Sequence, residues 1–323
     1  MTVSIPADPS AAPWAEYRTL LDLEDRVPDD PMVMDAKTRM LTHPLVLGLV
    51  AELQNWPGAV LNSHKNAGLP YHKLAFLADI GVTAKDVELS AVRAAMDEHR
   101  MEDGLLRIPI NIPVHFGGTG RDLWGWSLCD VPVQLYGAIG TGLYTCTEME
   151  SAVAGLIQLA AGNGWPCAGS GELGGFRGPG RKTDPCPFAT LSMLRLLTLF
   201  PDLQDGPAVN AGTESLLHLW NRSREEHPYL FHMGTDFRKI KAPMIWYDLI
   251  HVLDVLTQYP GIRKDPRFLD MLGVMESKAD DTGRFTAESV WTAWKDWDFG
   301  QKKIPSPWIT LLAHRIVRRS GIG

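Results

Sequence analysis

Apolar residues recur along this chain at the three- and four-residue spacing of helices. No segment shows the strict alternation of apolar and polar residues expected of a β-strand. Val153, Leu156, Ile157 and Ala160, for example, are three, four and seven positions apart, which places them on one face of a helix. The same criterion predicts three short helices near the N-terminus, over residues 14–25, 30–41 and 44–53.

Two kinds of helix alternate after residue 70. Strongly apolar helices begin next to a proline, a residue favoured in the first helical turn. Each is followed by a glycine or proline stop and then by an amphipathic helix, and the whole unit recurs roughly every 60 residues. The five prolines are Pro70, Pro132, Pro187, Pro243 and Pro307, and the amphipathic helices are predicted over residues 89–99, 148–160, 212–222 and 267–277.

This repeat predicts the fold class. Helices that are apolar on all sides must be enclosed, and amphipathic helices must cover them. Inner and outer helices in alternation predict an all-α fold, an α/α toroid of five to six helical hairpins. We expect one domain over residues 1–323, in which residues 1–60 close the ring and residues 61–323 form the hairpin repeats. A stacked solenoid is the alternative, but it would expose one face of many helices, and residues 191–200 are too apolar for that.

Composition narrows the functional classes. A net charge of −7 argues against nucleic acid as a partner, because such partners need a basic surface. No apolar run reaches the roughly 18 to 20 residues that span a bilayer, and residues 1–13 lack the basic start and apolar core of a signal peptide. Four cysteines in 323 residues do not make a disulfide framework. The expected localisation is cytoplasmic, with reduced thiols.

Candidate metal ligands collect in the long connectors. In a toroid, every connector from an outer to an inner helix lies at the same end, and long loops on a rigid scaffold often carry function. Thiolate, carboxylate and imidazole groups brought together there bind zinc tetrahedrally. We predict a zinc cofactor, and the candidate ligands are Asp184, Cys186, His251, Cys129 and Cys167. The alternative is that these cysteines are ordinary small core residues, the interpretation we favour for Cys146.

Cations occur in two connectors of this otherwise acidic chain. Arginine forks and lysine ammonium groups bind phosphate or carboxylate, and an aromatic wall shapes an apolar pocket beside them. Solvated surface cations are the alternative. The candidate ligand-binding residues are Arg177, Arg181, Lys182, Arg238, Lys239, Lys241 and Trp246.

The segment over residues 246–256 places an acid and an imidazole in an apolar helix. Asp248 and His251 are three positions apart and share a face. Their burial is costly unless they pair or bind something, so acid–base catalysis and a structural hydrogen bond remain equally open. The catalytic candidates are Asp130, Cys186, Tyr247, Asp248 and His251.

The hairpin period and the stretch Arg177-Gly-Pro-Gly-Arg-Lys-Thr-Asp-Pro-Cys-Pro-Phe188 resemble terpenoid cyclases and protein prenyltransferase β subunits. The chain also looks like a group of bacterial toroid proteins. The prenyltransferase resemblance implies zinc ligation by Asp184 and Cys186, and diphosphate contacts from Arg181 and Lys182. The chain departs from the family pattern because a proline follows Cys186, the cations lie closer to Asp184, and Tyr247-Asp248 stands where the family has a histidine. The cyclase motif Asp-x-Asp-Asp is absent.

These features predict an enzyme with a pocket at the loop-rich end of the toroid. Zinc-assisted group transfer, or a lyase or isomerase reaction, would act on a small, partly apolar anionic substrate, such as an isoprenoid-like diphosphate or a carboxylate. One alternative is a metal-free acid–base enzyme that uses Asp130, Asp248 and His251. The other is a non-catalytic toroid that binds a ligand or peptide.

Overall fold

The computed structural model describes residues 12–175, 183–223, 225 and 233–321. Across these ranges the chain is mostly helical, with one small two-stranded hairpin. The helices are α1 (Pro13–Asp22), α2 (Pro31–Thr42), α3 (Pro44–Leu53), α4 (Pro70–Ile80), α5 (Ser90–Glu98), α6 (Val131–Gly140), α7 (Cys146–Ile157), α8 (Pro187–Leu197), α9 (Pro207–Asn221), α10 (Leu249–Leu256), α11 (Pro266–Glu276) and α12 (Pro307–Ser320). The strands are β1 (Ile108–Asn111) and β2 (Asp122–Gly125). None of these helices is both long enough and apolar enough to cross a membrane.

Local signals set most helix ends. Pro70, Pro187 and Pro307 begin α4, α8 and α12, and Pro132 lies in the first turn of α6, so four of the five predicted starts are confirmed. A proline there lacks only an N–H that has no helical partner anyway. Gly81 ends α4 in the left-handed conformation at φ 85°, which a glycine adopts without strain.

The predicted helix start at Pro243 is wrong. Residues 241–248 are buried but not helical, and α10 begins only at Leu249. Asp248 is the N-cap of α10, and its carboxylate accepts a hydrogen bond from the backbone N–H of His251. A short, continuously apolar run does not distinguish a helix from an extended buried segment.

The hairpin corrects the prediction of an entirely helical chain. β1 and β2 pair antiparallel, with Ile108 opposite Gly125 and Asn111 opposite Asp122. Leu61 adds a further pairing, since its N–H donates to the Pro109 carbonyl at 2.8 Å and its carbonyl accepts from Asn111 at 3.0 Å. Each strand has only four residues, too few for an alternating pattern to stand out in the sequence.

The apolar and amphipathic helices differ in burial as predicted. All eleven residues of α8 are buried, including Arg195, whereas α5 and α11 each bury a single face. α4 packs on α6, α6 on α8, α8 on α10 and α10 on α12, and α1 lies against both α12 and α4. α2 packs on α1, α3 on α4, α9 on α8 and α11 on α10. The continuous apolar core lies between these helices.

Candidate metal centre

Three cysteines from separate connectors meet inside the protein. Cys129, Cys167 and Cys186 place their sulfur atoms within 4.8 Å of one another. The Sγ atoms of Cys129 and Cys186 are 4.0 Å apart, and all three are free thiols. Cys129 and Cys186 are only 2% and 1% exposed, and Cys167 is half-buried.

Backbone pairing between two connectors positions Cys129 and Cys167. The Leu128 N–H donates to the Ala168 carbonyl at 2.9 Å. Cys129 follows Leu128 and Cys167 precedes Ala168, so each cysteine is next to a residue of this hydrogen bond. Asp130 then secures the turn before α6, because its carboxylate accepts from the N–H and hydroxyl of Ser127. The pairing fixes the distance between Cys129 and Cys167 through the main chain.

Cys186 is held at the start of α8. Its N–H donates to the Trp165 carbonyl at 2.7 Å, two residues from Cys167. Its Sγ occupies the N-cap position and accepts from the Ala189 N–H at 3.5 Å. Cys186 therefore faces the other two thiols from the positive end of a helix, where negative charge is stabilised.

The spacing suits a tetrahedral metal ion. With Zn–S bonds of about 2.3 Å, neighbouring sulfurs of a tetrahedral site lie about 3.8 Å apart, close to the separation of Cys129 and Cys186. Thiolates are soft donors that select zinc over magnesium or calcium. The three cysteines can therefore hold a metal such as zinc, with one tetrahedral position left for another group.

The thiols do not ionise equally. Hydrogen bonds from Cys129 and Cys167, and from backbone N–H groups of α8, hold the pKa of Cys186 well below its ordinary value. The pKa of Cys129 is raised well above its ordinary value by its hydrogen bonds with Cys167 and Cys186 and by burial. A negative charge in the cluster is therefore most favourable on Cys186. A bound cation would let the other two ionise.

A cavity of about 350 Å³ adjoins the thiols. Most of its wall is apolar, and its polar groups come mainly from the segment after Leu61. The lining residues are Leu61, Asn62, Ser63, His64, Lys65, Ile110, Asn111, Ile112, Pro113, Phe116, Ser127, Cys129, Cys167, Cys186 and Trp246. Trp246, a predicted ligand-binding residue, stacks on Phe188 at 4.5 Å and lies under the Lys65 ammonium at 5.2 Å.

Two of the predicted metal ligands do not join the cluster. Neither Asp184 nor His251 belongs to the group of ligand atoms formed by the three cysteines. Asp184 is half-buried, two residues before Cys186. His251 faces a separate, water-sized cavity lined by Asp79, Arg195, Pro243, Met244, Asp254, Val255, Trp308, Leu312 and Arg315.

Asp248 and His251 contact each other in a buried polar region of the protein. The His251 Nδ1 lies 2.9 Å from both carboxylate oxygens of Asp248, which is itself fully buried. Close to His251, Asp254 accepts hydrogen bonds from Arg315 at 2.9 and 3.1 Å and from Arg319 at 3.1 Å. These contacts form a buried polar network apart from the thiols.

Asp130 and Tyr247 also lie in closed surroundings. Asp130 is fully buried, and its oxygens accept from Ser127 and from the Gln134 amide at 2.9 Å. Desolvation raises the pKa of Asp130 to about 7. Burial raises the pKa of Tyr247, and the nearby Cys186 thiolate adds to the effect. Neither side chain lines the cavity beside the thiols.

The predicted anion-binding cations do not converge on that cavity in the described chain. Arg238 lies over the Trp220 ring at 4.1 Å, Lys239 pairs with Asp236 at 3.2 Å, and Lys241 is buried 4.6 Å from the Trp291 ring. Arg177, Arg181 and Lys182 lie outside the described residues.

Sequence reasoning missed His64. Its Nδ1 is buried without a hydrogen-bond partner in the described chain, and the side chain lines the cavity close enough to Cys186 to interact electrostatically. Desolvation lowers the pKa of His64 to about 4. Its only signal in the sequence is a polar connector, Asn62-Ser-His-Lys-Asn66, placed before an apolar helix.

Comparison of the chain with protein-family models and with curated proteins gives no match. The functional argument therefore rests on the geometry of the thiol cluster and its cavity.

Proposed function

We propose that this protein is a zinc-dependent enzyme built on an α/α toroid, and that it acts on a small, partly apolar anionic molecule. The observation that carries the proposal is the convergence of three thiols on one side of a mostly apolar cavity. Three protein ligands and one open position are the usual arrangement of catalytic zinc sites.

The helix neighbours support the toroid. α1, α4, α6, α8, α10 and α12 each pack against the next, and α12 returns to α1. α2, α3 and α9 each pack against one member of that series, and α11 packs against both α10 and α12. An inner ring covered by outer helices would have these contacts. The N-terminal helix α1 would then close the ring, in keeping with the role predicted for residues 1–60.

The donor set supports zinc. Sulfur donors at this spacing favour a tetrahedral ion with soft-ligand preference. Bound there, zinc would keep the thiols ionised and would polarise or deprotonate a group at its fourth position. Cys186 is the one ligand this site would share with the prenyltransferase pattern. Cys129 and Cys167 would replace the carboxylate and the imidazole of that pattern.

The cavity wall supports a partly apolar substrate. Ile110, Ile112, Pro113, Phe116 and Trp246 would take an apolar body. Lys65, which lies over Trp246, provides positive charge at the same wall. We favour group transfer from a diphosphate such as an isoprenoid-like one, with lyase or isomerase chemistry on the same class of molecule as the alternative.

The metal-free acid–base alternative has less support. Asp248 caps α10 and contacts His251. The Asp130 carboxylate accepts hydrogen bonds from Ser127 and Gln134. Neither carboxylate lines the cavity beside the thiols. Non-catalytic ligand binding would use the same cavity, and turnover separates it from group transfer.

Geranyl diphosphate and mercaptoacetate test the group-transfer proposal. In the reaction a C–S bond forms, the C–O bond to diphosphate breaks, and the thiol proton passes to solvent. Phosphorus NMR measures the diphosphate released. Zinc-loaded wild type and Cys146→Ser should release it, whereas Cys186→Ser should not. Cys146 is a matched control, since its thiol donates to the Leu199 carbonyl and does not belong to the cysteine group. If zinc-loaded wild type binds geranyl diphosphate but releases no inorganic diphosphate, the binding function would be favoured.

A further inference from the structure

The wall of the cavity beside the thiols contains a buried polar atom with no hydrogen-bond partner in the described chain. The Nδ1 of His64 is buried and has no hydrogen-bond partner in the described part of the chain. Buried polar atoms are nearly always paired, and an exception calls for an unseen water, ion or ligand as partner. His64 lines the same cavity as the three cysteines, so a molecule in that cavity could be the partner.

The backbone around His64 is held by contacts with β1 and α4. Leu61 is tied to β1 by two hydrogen bonds, to Pro109 and Asn111. The ring Nε2 of His72, on α4, lies 3.4 Å from the carbonyl oxygen of His64. The His64 ring is therefore presented by a segment held at both sides, as a positioning group must be.

His64 is near the cysteines without being one of the cluster. It interacts electrostatically with Cys186, yet neither ring nitrogen joins the group in which all ligand atoms are within 4.8 Å. His64 therefore lies in the cavity wall outside the cysteine group, where it can contact a molecule at the fourth coordination position.

We propose that His64 positions the molecule at the fourth coordination position of the cysteine site, through a hydrogen bond to its Nδ1. This inference rests on the proposed metal function. It makes His64 a positioning residue, since it holds the molecule that the cysteine-bound ion would act on. The buried Nδ1 selects molecules that present a hydrogen-bonding group beside the atom bound to the metal.

Cobalt-substituted protein and mercaptoacetate test this role. The visible spectrum of bound Co²⁺ reports its ligands and follows addition of the thiol. His64→Leu should bind Co²⁺ with the wild-type spectrum but bind mercaptoacetate about 3- to 10-fold more weakly, the effect of one hydrogen bond. His64→Asn, which keeps a polar atom near the position of Nδ1, should recover most of that loss.

The outcomes separate the two proposals. Equal mercaptoacetate affinity in wild type and His64→Leu would overturn the role of His64 and leave the metal site intact. A Co²⁺ spectrum changed by His64→Leu before the thiol is added would also overturn it, by making His64 a ligand. Wild type that binds no Co²⁺ would refute the proposed function itself. Bound Co²⁺ that never responds to the thiol would refute the open fourth position and, with it, the role of His64.

Discussion

The sulfur atoms of Cys129 and Cys186 lie 4.0 Å apart, although 57 residues separate the two cysteines along the chain. Cys129 precedes α6 and Cys186 caps α8, so the packing of α6 on α8 brings them together. The thiol cluster therefore depends on the helical scaffold as well as on the connectors, and changes in that scaffold are testable.

The contact between α4 and α6 depends on Gly137. A Cβ atom at this position would lie 2.8 Å from the Ala75 backbone nitrogen. Gly137→Ala should therefore lower the free energy of unfolding by about 1–3 kcal/mol through overpacking, despite alanine's better helix propensity. Urea unfolding measures the change.

Gly155 provides the matched control, since a Cβ there meets nothing within 4 Å on the exposed side of α7. Gly155→Ala should stabilise the protein by about 0.5–1 kcal/mol. Equal effects of the two substitutions would contradict the close packing of α4 on α6.

The buried polar network beside His251 depends on Asp254. Its carboxylate accepts hydrogen bonds from both Arg315 and Arg319. Asp254→Asn should lower the free energy of unfolding by about 1–3 kcal/mol, because it weakens charge-assisted hydrogen bonds to the buried Arg315, which keeps Asp22 as another acidic partner at 3.1 Å. Glu214→Gln, which removes an exposed partner of Arg267, should change it by less than about 1 kcal/mol. Similar losses in the two variants would show that the network is open to solvent.

His72 should make stability depend on pH. Burial lowers its pKa from 6.5 to about 3, so the unfolded chain binds the proton more tightly than the folded one. Stability is then full above about pH 6.5 and falls on acidification, by about 2 kcal/mol near pH 5. His72→Gln removes this titration. Urea unfolding at pH 7 and pH 5 should show a loss about 2 kcal/mol smaller in the variant, and parallel losses would contradict the burial of a neutral imidazole.

Substitution of Asp248 tests whether this residue acts as a helix cap or contributes to metal binding. Asp248→Ala removes the N-cap of α10 and the partner of the His251 ring, so the free energy of unfolding should fall by about 1–3 kcal/mol. Its zinc content should remain that of the wild type. Loss of zinc in a variant that is still folded would show that the Asp248–His251 pair contributes to metal binding.

Local signals in the sequence were sufficient for most helices. A proline in the first turn acts through its own fixed φ and missing N–H, so Pro70, Pro187 and Pro307 mark helix starts without tertiary information. The helix start predicted at Pro243 is wrong because the segment after it is apolar through its burial in the core and not because it forms a helix. The four-residue strands β1 and β2 were missed because their pairing with each other and with Leu61 is not a local property.

The metal site could be predicted only in part. The toroid hypothesis placed Cys129, Cys167 and Cys186 at one end, but their contact needs hydrogen bonds such as Leu128 to Ala168 and Cys186 to Trp165. His251 is predicted as a ligand because the toroid places the start of its helix at the same end as the cysteines, yet its ring contacts Asp248 and lines a different cavity. His64 had no spacing signal, because its link to the cysteines is the cavity wall.

Metal content tests the central claim most directly. Protein purified without chelators should contain about one zinc per chain by elemental analysis, and Cys129→Ser, Cys167→Ser and Cys186→Ser should each lose most of it. Cys146→Ser should retain it. Folded wild type without any bound metal, even after incubation with zinc, or a loss of zinc in Cys146→Ser equal to that in Cys186→Ser, would contradict a metal centre formed by the three cysteines.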